Sequence, residues 1–333
     1  MLAPSLAACA RSSAPPAPPT PNAAPAPAAG PPALGPARIN YSAIAAVMAG
    51  IWTAAETGAW QECGVELELS NVNASARVLP ALLAHEIDGS SLDVMAGVRA
   101  ISGGADVVFL GGVTNRQIFS VFARPDIAQP ADLAGHTWGV TRLGSSTDVA
   151  AHLALEQWGL TDDDITFVQL GDTPTVIAAL LGGQIDAASL GPPNDLRAKE
   201  AGFKELLNLA EEGPAFPSVG LAATRSLVAD RPETAYCFVK GYALGVKRFR
   251  EDRDTALAVY RKYLQTDDAH MLDATYTAFK RYLAWPPAIP ADGLDRVRQA
   301  VAAREEPHAA ELTNAQIFDS QFVDQLQAEG LFA

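Results

Sequence analysis

The sequence predicts an α/β protein made of two successive α/β units and closed by a long all-helical tail. Three observations carry this expectation. Short apolar strands alternate with segments of helical period from Arg38 onward, the alternation restarts after Pro125-Asp126, and past Asp230 only helical periodicity remains.

The elements follow in order. Arg38 to Ser42 reads as a strand, and Ile44, Val47, Met48, Ile51, Trp52 and Ala55 then recur on one helical face until Gly58. A strand is expected at Val65 to Ser70 and a helix around Val78, Leu79, Leu82 and Leu83. Val107 to Leu110 and Ile118 to Ala123 are continuous apolar runs suited to buried parallel strands. The second unit has strands at Thr137 to Thr141, Ile165 to Leu170, Asp186 to Leu190, Leu206 to Leu209 and Val219 to Ala223. Its helices run from Thr147 to Trp158 and through Val176 to Leu181. In the tail, Ala235, Phe238, Val239, Tyr242, Val246 and Phe249 form one apolar stripe, and Leu272, Tyr276, Phe279 and Leu283 form another. Stripes of that length must pack on one of the preceding units.

With 333 residues, 49% hydrophobic and 19% charged, the chain can bury a substantial core. A formal net charge of -14 supplies no field to gather phosphate backbones or acidic lipids, so nucleic acid is excluded as an expected partner. His85, His136, His152, His270 and His308 show no metal-ligand spacing, and no GxSxG, GxGxxG or GxxxxGK[ST] occurs. No metal and no cofactor is therefore expected.

Cys9, Cys63 and Cys237 are far apart and form no CxxC pair. Cys63 and Cys237 are expected as two buried thiols rather than a disulfide. Cys9 ends the run Leu6-Ala7-Ala8-Cys9, which resembles the lipobox at which bacterial lipoprotein signals are cut and the cysteine acylated. Met1 to Ala8 lacks Lys and Arg and is read as a truncated signal; the bland alternative is an Ala/Pro-rich terminus with an incidental cysteine. From Ser12 to Pro36 the chain is almost wholly Ala, Pro, Gly and Ser, so residues 10–37 are expected to be a disordered tether spanning up to roughly 80 Å.

Two motifs place the chain by resemblance. Arg124-Pro125-Asp126-Ile127, followed by Pro130, Asp132-Leu133, Gly135, Gly139 and Val140, matches a segment at the entry to the second lobe of one branch of the type 2 periplasmic binding proteins. Gly183-Gln184-Ile185-Asp186-Ala187 after a helix matches a second motif of that branch, and Leu82 to Gly89 is a related copy without the glycine. The branch serves nitrate, sulfonate, taurine and thiamine-pyrimidine-precursor importers, and the resemblance covers roughly Ile39 to Arg304.

The resemblance implies a two-lobed fold with the helical C-terminal extension packed on the first lobe. It puts lobe 1 at 38–120 and 222–333 and lobe 2 at 121–221, joined by two crossover strands. It further implies a monomeric, extracytoplasmic solute-binding lipoprotein, anchored through Cys9, which hands a small molecule to an ABC importer permease and is not an enzyme. The runners-up are an enzyme on the same fold, with Cys63 as a nucleophile, and a ligand-sensing domain.

Ligands of such folds sit outside the carboxyl ends of the strands. The candidate ligand-binding residues are thus Tyr41, Ser42, Asn73, Ser75, Ser90, Ser91, Thr114 and Asn115 in the first lobe. In the second they are Gly144, Ser145, Ser146, Thr147, Gly191 and Pro192. The segments Ser90-Ser91-Leu92 and Gly144 to Thr147 are read as loops, with Ser145 and Asp148 as an S-x-x-D cap. Asp88 and Asp186 are expected to brace their turns, and Trp285 to pack at a helix stop.

Overall fold

The computed structural model describes residues 33–72, 75–304 and 306–333. Cys9 and the tether up to residue 32 lie outside these, as does Asn73. The first strand, β1 (Gly35–Tyr41), starts earlier than its apolar run, because Gly35 to Ala37 already pair in register with Val65 to Leu67. Gly35, Pro36 and Ala37, assigned to the tether, are therefore part of the sheet, and Ala37 is buried.

A single 3-10 turn at Ala46–Met48 leads into α1 (Ala49–Glu56), whose Ile51 and Trp52 enter the core as expected. Ile44 does not: it precedes the helix and is 59% exposed. After β2 (Val65–Asn71) and α2 (Ser75–Leu83) comes the main departure from expectation. Ser90, Ser91 and Leu92 are not a loop but the middle of a strand, β3 (Gly89–Asp93), that is buried up to Leu92. The serines tolerate burial because their hydroxyls are satisfied inside the sheet: Asn40 Nδ2 donates to Ser90 Oγ at 2.7 Å and the Ser42 amide donates to Ser91 Oγ at 3.0 Å. An unanticipated helix, α3 (Val94–Ser102), follows, its end capped by the Asp93 carboxylate, which accepts from the Ala96 amide at 2.8 Å.

The chain continues through β4 (Val108–Thr114), β5 (Ser120–Ala123), β6 (Thr137–Val140), α4 (Ser146–Trp158), β7 (Thr166–Gln169) and α5 (Thr173–Leu181). Then come β8 (Ala187–Leu190), α6 (Asn194–Glu200), β9 (Lys204–Asn208) and β10 (Val219–Ala223). Two mixed five-stranded sheets result, ordered β2-β1-β3-β10-β4 and β7-β6-β8-β5-β9. Each has one antiparallel strand in its fourth position, β10 in the first and β5 in the second. The sheets are thus built alike, and the chain crosses between them twice, at 115–119 and 209–218. Both crossovers leave from carboxyl-end edges, and they bond to each other through Leu209 N to Phe119 O and Phe216 N to Asn115 O, each 2.9 Å.

The tail is helical: α7 (Arg225–Asp230), α8 (Pro232–Glu251), α9 (Arg253–Leu264), α10 (Ala269–Tyr282), α11 (Ala291–Arg304), α12 (Asn314–Ile317) and α13 (Gln321–Ala328). Isolated bridges tie Leu283 to Thr114 and Phe318 to Phe109, so the tail touches the edge of the first sheet without adding a strand. Its anchor is α8 against α1, where Trp52, Trp60, Phe238, Tyr242 and Phe249 share one buried cluster. The approach is close because it uses glycine: a Cβ on Gly245 would stand 2.2 Å from the Gly50 carbonyl oxygen. Beside it, Cys63 and Cys237 form a disulfide with a Cα separation of 5.8 Å, which corrects the expectation of two thiols and removes Cys63 as a nucleophile. No helix among the described residues is long and apolar enough to cross a membrane.

Candidate functional site

The crossovers leave the carboxyl-end edges of both sheets, and the loops that leave β1 and β6 lie at those same edges. On the first sheet Tyr41 is half-buried, edge-on to Trp52 at 5.7 Å and to Tyr263 at 6.0 Å, while Trp52 and Tyr263 stack at 4.6 Å. Its ring is therefore a packing element first. Ser42 is buried and its hydroxyl lies 3.1 Å from Ser91 Oγ. Ser90 and Ser91, with no exposed surface, are structural in this conformation. Thr114 is buried too, its hydroxyl 2.6 Å from Ser218 Oγ. Asn115 donates to the Ala288 carbonyl at 2.7 Å and keeps a buried Oδ1 without a partner. Ser75 opens α2, and its side chain lies outside the described residues along with Asn73.

The second sheet offers a better-formed loop. Thr141, Ser145 and Thr147 make a closed triangle of hydroxyls with sides of 2.9, 2.9 and 3.0 Å, and the Thr141 amide also donates to Thr147 Oγ1 at 3.0 Å. Gly144 sits at φ +79, a left-handed conformation that glycine adopts without steric cost. The expected Ser145–Asp148 cap is not formed. Ser145 is the N-cap residue but its hydroxyl caps no helix amide, and the Asp148 carboxylate reaches back to the Gly144 amide at 3.0 Å. The first helical bond is Val149 N to Ser145 O, so the amides of Ser146, Thr147 and Asp148 precede it and remain available.

Asp148 is buried, which would repel an anion; the Arg304 guanidinium offsets it, and His152 adds to this only when protonated. His152 Nδ1 lies 3.5 Å from its carboxylate and Arg304 Nη1 lies 3.8 Å away. Leu143, Gly144, Asp148, His152 and Arg304 together line a cavity of about 480 Å3. Sequence reasoning found Gly144 here and missed Arg304, which α11 brings in from the tail. It also missed Leu143, 56% exposed, which stands at the register position that Ile44 holds in the first sheet.

Gly191 and Pro192 end β8, and Asn194 N returns to Gly191 O at 2.9 Å. Pro192 and Pro193 line a cavity of about 520 Å3 between α6, β9 and α10, together with Asp195, Lys199, Glu205, Asn208, Arg281 and Tyr282. Burial raises the Asp195 carboxyl above its usual range although it accepts from the Leu196 amide. Burial acts against the Lys199 ammonium, but Glu205 at 2.8 Å more than offsets it and the net shift is upward. At the remaining strand end Asp172 caps α5 through the Thr175 amide at 2.8 Å, and its pKa is lowered by its hydrogen bonds to Thr175.

The region is thus rich in hydroxyls, helix-end amides and paired charges. Such groups hold and orient a solute. Among the described residues no cluster of three or more His, Cys, Asp and Glu is placed to hold a metal ion.

Comparison with known structures agrees with this architecture. The periplasmic aliphatic sulphonate binding protein SsuA of Escherichia coli aligns over 85% of this chain and 97% of its own, with 20% identity and a TM-score of 0.69. A putative sulfonate ABC transporter component, the periplasmic sulfonate-binding protein SsuA of Methylobacillus flagellatus, covers 89% and 95% at 16% identity with a TM-score of 0.71. A mutant of DSZB in complex with biphenyl-2-sulfinic acid covers 89% and 99% at 17% identity with a TM-score of 0.65. At these identities the likeness shows a periplasmic-binding-protein fold. No curated protein sequence matches the chain. The family model described as NMT1/THI5 like matches residues 45–256, well over half of the chain, and the protein belongs to that family.

Proposed function

We propose that this protein is the solute-binding component of an ABC importer and takes a small organic anion, a sulfonate foremost, between its two sheets. The observation that carries the reading is the loop from Thr141 to Thr147. It combines a hydroxyl triangle, the available amides at the start of α4 and the Arg304 guanidinium, at the carboxyl-end edge where this fold holds ligands. The solved sulfonate-binding relatives of the same fold support the choice of anion.

In this reading lobe 1 comprises residues 38–120, with Gly35 to Ala37 of β1, and 222–333, lobe 2 comprises 121–221, and closure brings the β1 and β6 loops together on the solute. The Cys63–Cys237 disulfide favours an oxidising, extracytoplasmic compartment. Acylation at Cys9, a membrane tether and a permease partner complete the proposal. A thermal-shift screen of the full chain against sulfonates, nitrate, pyrimidines and aromatic acids tests it. At 100 times Kd a bound solute adds about 2.7 kcal/mol to the folded state. Stabilisation by a sulfonate supports the assignment, and a response only to neutral solutes rules out the anion.

A further inference from the structure

A cavity of about 340 Å3 opens where the two crossovers meet the tail, and its wall includes Arg116, Arg250, Arg281, Tyr282 and Trp285. The three arginines come from three different places: the first crossover, the last turn of α8 and the end of α10. A chain with a net charge of -14 repels anions at long range, so the gathering of three arginines around one cavity runs against the background field. Like charges so placed cost free energy, and an anion between them relieves that cost.

Local structure accounts for part of the cluster. Arg116 donates to the Glu211 carbonyl, and Arg281 pairs with the Glu211 carboxylate at 2.7 Å, so both clamp the second crossover. Arg250 has no such duty. Among the described residues no carboxylate lies within salt-bridge distance of it, and its place in the last turn of α8 complements the helix dipole without requiring it to face Arg116 and Arg281. The remaining wall is an amphipathic surface: Arg281 lies over the Tyr282 ring at 5.9 Å, and Trp285 is edge-on to Phe332 at 4.9 Å.

We propose that this cavity is a second binding site, specific for a tetrahedral oxyanion group held by Arg250 with Arg116 and Arg281. Guanidinium forks suit sulfate, phosphate and sulfonate heads alike, and the volume leaves room for a short organic substituent against Tyr282 and Trp285. The inference uses none of the Thr141 to Thr147 loop and shares only Asn115, at the cavity wall, with the candidate residues of the importer reading. An anion here would bridge the first crossover and the helical tail.

The test is calorimetric titration of the full-length protein with sodium sulfate, sodium phosphate and butanesulfonate at constant ionic strength, in the native chain, Arg250→Gln and Arg250→Lys. Each variant is first shown to keep its native melting temperature. Saturable binding that weakens at least about tenfold in Arg250→Gln and is partly kept in Arg250→Lys supports the site. Preference among the three probes then separates an inorganic ion from an organic anion. Absence of saturable binding by all three, or equal affinity in the native chain and Arg250→Gln, overturns it.

Discussion

His85 and Gly183 occupy the same place in two copies of one turn, and both are left-handed, at φ +55 and φ +69. Each follows a helix whose end is closed by the same bond, Glu86 N to Ala81 O in the first copy and Gln184 N to Ala179 O in the second, both 2.9 Å. Each turn then delivers an aspartate, Asp88 or Asp186, to the next strand's start. The glycine in the second copy fits this geometry without a Cβ clash; the histidine in the first does not.

His85→Gly should therefore stabilise the protein. His85 is exposed, so little packing is lost, and relief of left-handed strain exceeds the added chain entropy of glycine by roughly 0.5–1 kcal/mol. Chemical denaturation measures the difference. A loss of stability would mean that the imidazole makes a contact that outweighs the backbone strain.

Asp186 gives the fold a pH dependence. Its burial raises the pKa, but hydrogen bonds from the Thr137 amide at 2.9 Å and hydroxyl at 2.8 Å, with His136 beside it, outweigh that and hold it below the usual carboxylate range. A lowered folded-state pKa contributes stability that is present above the unfolded value, about 3.9, and is lost as pH falls through the folded value. Asp186→Asn should lower stability by on the order of 1 kcal/mol at neutral pH and flatten the acid limb of a melting-temperature profile below about pH 4. An unchanged acid limb would show that other carboxylates govern it.

Much of this architecture was legible because apolar runs and turn residues coincide, as at Val107 to Leu110 and at Pro125-Asp126. What escaped did so for identifiable reasons. β3 is polar in sequence, and hydrogen bonds that local sequence does not announce, from Asn40 and Ser42 and to Ser91 O and Met48 Sδ, make Ser90 and Ser91 acceptable in a core. α3 had a readable signal, since Val94, Val98 and Ile101 recur at helical spacing after the Asp93 cap. Arg304 had none: its place beside Asp148 depends on α11 lying along α4, where Arg296 also reaches Glu156 at 3.3 Å. Asp148 looked like a cap by spacing, but the left-handed Gly144 turns its amide toward the carboxylate instead.

The Cys63–Cys237 bond closes a loop of sequence separation 174. Long loops lose most entropy in the unfolded chain on cross-linking, so reduction should cost about 2–5 kcal/mol. Denaturation with and without reductant, repeated on Cys237→Ser, measures it. Equal stability in both conditions would show that the thiols do not pair in solution.

Gly144 tests the solute site. A Cβ at φ +79 is strained, and the loop can relieve it only by moving the Gly144 amide away from Asp148. Gly144→Ala should weaken solute binding by about tenfold, and destabilise the fold by only about 1–2 kcal/mol, because the loop is exposed. Titration of a solute identified by thermal shift, beside a denaturation curve, separates the two effects. Unaltered affinity would move the solute away from α4.

Gly245 decides whether the tail is an integral part of the first sheet's core. On this residue a Cβ would lie 2.2 Å from Gly50 O, 2.6 Å from Ala54 Cβ and 2.7 Å from Ala54 N, so α8 would have to lift off α1. Backbone atoms cannot swing aside as a side-chain tip does. The displacement would also pull on Trp60 and Phe238, whose packing and bond, Trp60 Nε1 to Phe238 O at 3.3 Å, lie along the same seam. Gly245→Ala should thus cost about 1–3 kcal/mol or more, although alanine favours helix by about 1 kcal/mol over glycine. Urea denaturation gives the sign directly: a stabilised variant would mean that the helices pack farther apart than 2.2 Å permits and that helix propensity governs this position.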